Sequence, residues 1–236
     1  MLKARTKLTP TSARTREHLI LAGERLFAEQ GIDNVSLRQI NTAAGQRNSS
    51  ASHYHFGSKE SLVTAIYQYR MERLDARRVT MLAAMPPCIP GAPVHAVIGV
   101  LVHPMIGEIA ESEGGDNFIR FLSQLLNHPM MDLVNMWRSQ FGASLGQVYY
   151  ELRRALPDIP DEVFGARFGL AWELTVNALA ARDRLNKGST SVVARTLPLL
   201  YVSNLVDALA GLMSAPVSAS TTVEVDLLRS GRQPAA

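Results

Sequence analysis

The 236-residue chain has one cysteine, Cys88, which excludes an internal disulfide framework and any CxxC metal site. It also lacks a long apolar run: the longest candidate, around Val94 to Val102, falls far short of the roughly 20 residues that a bilayer requires. After the basic start, Leu8 to Thr15 is polar where a signal peptide needs an apolar core, so a cytoplasmic location is expected. HExxH, GxSxG, P-loop and GxGxxG spacings are all missing, so neither an enzyme nor a catalytic residue, metal or cofactor is expected. No strict apolar/polar alternation and no internal repeat appears, which leaves helices as the structural element.

What the chain does have is concentrated in Ser36 to Leu62, SLRQINTAAGQRNSSASHYHFGSKESL. Ser36 followed by Gln39 is a capping box, and Val35 with Ile40 has the spacing of a hydrophobic staple, so a helix is expected to start at Ser36. Leu37, Ile40 and Ala44 share one face, and Gly45 falls where the chain needs a left-handed residue to turn. The next segment, about Arg47 to Tyr54, is rich in short polar side chains that form helix poorly and have little to bury, which suits a helix whose exposed face has a partner. Arg47 has the geometry to bond guanine and Asn48 adenine, while small serines admit the helix deep into a major groove; a solvated loop is the alternative. Gln46, Arg47, Asn48, Ser49, Ser50, Ser52 and His53 are therefore the candidate base-facing residues.

Ser58 is a good N-cap for a further helix running through Leu62, Ile66 and Tyr69, which puts Lys59 in a first turn where the macrodipole favours an acid. A cation there suggests an external anion, and the helix N–H groups, Lys59 and the Tyr54 hydroxyl are expected to converge on a DNA phosphate, with His55 beside them. Taken singly, Lys59 is equally readable as a solvated side chain and His55 as core. Charge distribution points the same way. Residues 1 to 60 hold nine basic against five acidic side chains, an excess of four in a chain whose net charge is +3. Lys3 to Arg16 holds five of those cations and no acid, and reads either as a flexible arm on the DNA or as a terminus with no DNA role.

Residues from about Thr15 to Leu74 resemble the DNA-binding domain of the tetracycline-repressor (TetR) family. The likeness rests on Leu26, Phe27 and Gly31, on the Ala43, Ala44 and Gly45 turn, and on Tyr54, His55, Phe56, Ser58, Lys59 and Leu62. It implies an all-α, dimeric, ligand-responsive transcription regulator. Ten residues separate Gly45 from Phe56, where the commoner family pattern has nine, so base-contact positions do not transfer by counting.

The expected organisation is a basic arm (1–13), a helix-turn-helix domain of three helices (14–57), a connecting helix (58–84) and a Pro-rich linker (85–93). A larger helical ligand-binding and dimerisation domain (94–213) and a disordered tail (214–236) follow. Helical periodicity recurs over Val94 to about Glu111, Phe118 to Leu126, Met130 to Leu156, Val163 to about Leu185 and Ser191 to Met213, with Pro198 expected to kink or split the last. The last two are apolar on more than one side, so Phe168, Leu200, Leu205 and Leu209 are candidates for a homodimer interface, burial inside one protomer being the alternative. Met105, Phe118, Phe121, Leu122, Trp137, Phe141 and Trp172 are candidates to line a cavity for a small hydrophobic ligand. Glu151 to Pro157, ELRRALP, resembles the C-terminal domain of regulators in this family tied to lipid or fatty-acyl metabolism. The reading is thus a sequence-specific repressor of double-stranded DNA; a non-specific nucleoid-type protein is the alternative, and an enzyme a more distant one.

Overall fold

A computed structural model describes residues 9–48, 50–128, 142–188 and 198–230. Among these the chain is all-helical: α1 Pro10–Gln30, α2 Leu37–Ala43, α3 Ala51–Phe56, α4 Lys59–Ala83, α5 His95–Glu111, α6 Gly115–Leu126, α7 Gly142–Ala155, α8 Asp161–Gly188, α9 Pro198–Ser214 and α10 Ala219–Ser230. No single helix among them is long and apolar enough to cross a membrane. The helices form two compact units, one of residues 1–73 and 108–133, the other of residues 74–107 and 134–236.

In the first unit α1 starts at Thr9, whose side chain accepts from the Ser12 N–H at 3.3 Å, with Pro10 in the first turn where its missing N–H costs nothing. Helix thus takes residues 10–13 out of the expected arm, and Arg14 and Arg16 lie on α1; Lys3, Arg5 and Lys7 lie outside the described residues. One face of α1 buries Leu19, Ile20, Leu26 and Phe27. It packs on α6, where the Phe121 ring stacks on Phe27 at 6.0 Å and Gln124 Nε2 donates to the Ala28 carbonyl at 3.1 Å. Hence Phe118, Phe121 and Leu122 are core of the unit that carries the helix-turn-helix, and do not share a unit with Met105 or Trp172. Amphipathicity told that they are buried, and only the packing tells against what.

In the second unit α8 and α9 pack on each other, with the Tyr201 hydroxyl donating to the Ala178 carbonyl at 2.8 Å. Phe164 and Phe168 take Tyr149 of α7 edge-on at 4.9 and 5.1 Å. Phe168, Leu205 and Leu209 are buried within the protomer, whereas Leu200, the fourth candidate, is exposed. The last helix corrects the expected disordered tail. Arg229 of α10 grips Glu162 of α8 through two hydrogen bonds of 2.8 and 2.9 Å, and Arg167 donates to the carbonyls of Met213, Ala215 and Pro216 just before it. The ELRRALP stretch has structural work here: Arg153 donates to the Leu156 and Pro157 carbonyls and pairs with Asp161 at 2.9 Å, while Glu151 accepts from the Cys88 N–H at 2.8 Å. The expected break at Pro198 concerns Ser191 to Leu197, which lie outside the described residues.

Candidate nucleic-acid interface

The interface is built from α2 outwards. Both halves of the capping box are present: the Ser36 N–H donates to Gln39 Oε1 at 2.8 Å and the Gln39 N–H to Ser36 Oγ at 3.3 Å. Val35 and Ile40 are buried as the staple requires. The helix leaves through Gly45 at φ +68°, with the Gly45 N–H on the Thr42 carbonyl and the Gln46 N–H on the Asn41 carbonyl, the paired bonds of a Schellman ending. Nothing would crowd a Cβ at Gly45, so it is the left-handed backbone that calls for glycine.

Gln46 to Asn48 then leave the helix, and Ser50 precedes α3. Gln46 Nε2 donates to the Ala44 carbonyl at 3.1 Å, and Asn48 Oδ1 accepts from the Ser50 N–H at 2.9 Å, an Asx-type turn that delivers the chain to α3. Arg47 and Asn48 therefore precede the short helix instead of lying on it. Both are exposed, and no ion pair among the described residues engages Arg47. Ser49 lies outside the described residues.

On α3 the faces separate cleanly. Ala51 and Ser52 are buried, His55 and Phe56 half-buried, and Ser50, His53 and Tyr54 exposed, with Tyr54 80% accessible. Ser52 is thus corrected from a base-facing to an inward residue: its N–H and hydroxyl both donate to Asn41 Oδ1 of α2, at 2.9 and 2.6 Å. Asn41, which sequence reasoning passed over, was detectable as a polar side chain beside Ile40 on the inward face that Leu37, Ile40 and Ala44 mark. His53 Nδ1 lies 3.0 Å from the Gly57 carbonyl at the end of α3. Arg16 of α1 stacks on the Phe56 ring at 5.3 Å, and burial, with the Arg16 charge behind it, holds the His55 imidazole below its ordinary pKa.

Ser58 does cap α4, its hydroxyl accepting from the Ser61 N–H at 3.1 Å. Lys59 differs from expectation. Its ammonium donates to the carbonyls of Asp33 and Val35, each at 3.2 Å, and so ties the start of α4 to the loop before α2. These two bonds use two of the three ammonium N–H groups. The outward surface is therefore Gln46 in part, with Arg47, Asn48, Ser50, His53 and Tyr54: one guanidinium, one carboxamide, hydroxyls and an imidazole, the groups that bond base edges and phosphates.

Of the expected ligand-lining residues, Trp137 and Phe141 lie outside the described residues, Met105 and Trp172 are buried in the second unit, and Phe118, Phe121 and Leu122 in the first. A cleft of about 300 Å³ in the first unit is lined by Leu21, Ala22, Ala43 and Ala44 together with His18, Glu24, Arg25 and, around the start of α6, Glu113, Gly114 and Asn117. No group of three or more candidate metal ligands occurs among the described residues.

An all-helical chain with a capped bihelical turn in its first unit defines a helix-turn-helix protein. Residues 19–66 match the sequence model for bacterial regulatory proteins of the tetR family, and residues 99–211 match that for the tetracyclin repressor-like C-terminal domain. The chain belongs to the TetR family. It is 26% identical over 114 residues to the HTH-type transcriptional regulator AcrR of Shigella flexneri, a match that spans about half of either protein, 48% of each. The crystal structure of Mycobacterium smegmatis AmtR shares its fold, with a TM-score of 0.54 at 16% identity over 99% of this chain and 100% of that one.

Proposed function

We propose that the protein is a sequence-specific transcriptional regulator, a repressor that binds an inverted-repeat operator as a homodimer and is released by a small hydrophobic ligand. The observation that carries the DNA-binding part is the outward set Arg47, Asn48 and Ser50, just before α3, with His53 and Tyr54 on it, the helix being anchored to α2 by its other face. A helix of such residues has little apolar surface to bury, and its exposed face has the donors and acceptors that a major groove requires. Family membership supports the same reading. The dimer is supported by the outer face of α8 and α9, where Leu170, Leu174 and Leu200 are 54%, 42% and 54% accessible, an apolar surface suited to the same face of a second copy. A ligand acts on such a dimer only through unequal affinity for DNA-competent and incompetent states, so ligand and operator must weaken each other reciprocally. The match to the tetracyclin repressor-like C-terminal domain supports an effector-responsive C-terminal part.

Selection of bound fragments from a random duplex pool tests this. An inverted repeat with half-sites about one helical turn apart, or a multiple of it, is expected, with affinity falling steeply as salt rises. Equal affinity for selected and random duplexes would instead indicate a non-specific nucleoid-type protein.

A further inference from the structure

The start of α3 is fixed from outside the helix. Six residues, Ala51 to Phe56, are too few and too poor in helix formers to hold a helical segment by themselves. The first N–H groups of any helix need acceptors, which the N-cap side chain ordinarily supplies. Here Ser50 holds that position with φ −98° and ψ 3°, away from the extended backbone of a working cap, and its side chain makes no capping bond. Asn41 of α2 supplies the acceptor instead, taking both the N–H and the hydroxyl of Ser52, the second residue of α3. Both side chains are buried, at 2% and 0% accessibility. A buried amide is costly unless its bonds are made, so the position is tuned to this contact.

Resting on the DNA-binding reading above, we infer that Asn41 is a positioning residue that sets sequence specificity without touching DNA. The Asn48 turn brings the chain to the start of α3, and the bond from Asn41 holds the helix in register against α2. A start displaced by one residue turns every side chain of α3 by about 100° about its axis and carries His53 and Tyr54 off the outward face. The bond from Asn41 selects the one start that presents them, and α2 can serve as the reference because its own beginning is locked by the capping box and staple and its end by Gly45. Loss of the bond should therefore blur the readout while leaving the charge-driven hold on the backbone in place.

The test compares a duplex selected from a random pool by the wild-type protein with a shuffled duplex of the same composition, at one salt concentration. Asn41→Ala should lower the selected-to-shuffled affinity ratio by at least about tenfold while changing affinity for the shuffled duplex less than about twofold. Asn41→Asp, which keeps the acceptor oxygen, should restore the ratio to within about threefold of wild type, and Ser52→Ala, which keeps the N–H bond alone, should fall between. A folded Asn41→Ala protein with an unchanged ratio, or an Asp variant no better than Ala, overturns the inference. Should Asn41→Ala fail to fold by circular dichroism, Ser52→Ala decides, and an unchanged ratio there overturns it equally. A wild-type protein that does not distinguish the two duplexes overturns the DNA-binding reading itself, before any variant is compared.

Discussion

Arg70 of α4 holds Glu24 of α1 in a fork, Nε to Oε2 at 2.7 Å and Nη2 to Oε1 at 2.6 Å, with both side chains out of water. The same guanidinium reaches Glu108 of α5 at 2.7 Å and the Glu113 carbonyl at 2.6 Å, so one buried cation joins three helices and the turn into α6 within the first unit. Burial pushes the Glu24 carboxyl above its usual range against the pull of Arg70. Burial likewise works to lower the Arg70 pKa, but its bonds and charges with Glu24 and Glu108 outweigh that and raise it. The turn fits closely around this group: a Cβ at Gly115 would strike the Glu108 carbonyl.

Removing the cation leaves two carboxylates buried together. Arg70→Ala should destabilise the protein by about 3–5 kcal/mol, whereas surface changes cost a few tenths. Denaturant unfolding monitored by circular dichroism measures it, and a loss below about 1 kcal/mol would mean that water reaches the group.

Lys59 and Arg47 should differ in kind. Arg47→Ala should relax the selected sequence preference, and Lys59→Ala should cost about 1 kcal/mol of stability by freeing the Asp33 and Val35 carbonyls, with the salt slope of binding preserved. If Lys59→Ala instead left stability intact and flattened the slope by about one unit, its ammonium would be on a phosphate after all.

His55 should give the first unit a modest sensitivity to mild acid. Its folded pKa lies below the ordinary value of about 6.5, so the unfolded chain takes the proton first. The stability gained by keeping the imidazole neutral is present above 6.5 and is lost as the pH falls through the folded value. Thermal melts between pH 8 and 5 should show His55→Gln with a smaller fall than wild type across that window; identical curves would count against this role.

The beginnings and ends of helices were legible from short local patterns: Ser36 with Gln39, Gly45 and Ser58 all act as their spacing indicates, because a cap needs only residues within one turn. Orientation was less legible. Six residues are too few to fix a phase, so Ser52 read as outward when it faces Asn41, and the carbonyl partners of Lys59 lie 24 and 26 residues away, beyond the reach of local spacing. Helix α10 was missed for a related reason: only Val225 is buried along it, and the pair that anchors it, Arg229 with Glu162, spans 67 residues.

Burial within the protomer separates the core from the outer face of α8 and α9. Leu170→Glu combined with Leu200→Glu should yield folded monomers with weakened binding to the palindromic duplex, whereas Leu209→Glu should unfold the protein, as its side chain is wholly buried. Sedimentation of the folded double variant decides; a persisting dimer would place the interface on another surface.

Amide hydrogen exchange of the full chain with and without the selected duplex bears most directly on where DNA is read. Strong added protection should appear across Gln46 to Gly57, over the loop and α3, and be absent when the shuffled duplex is supplied at the same salt. Unchanged exchange through this stretch, with protection elsewhere in the chain, would contradict the assignment of α3 as the DNA-reading helix.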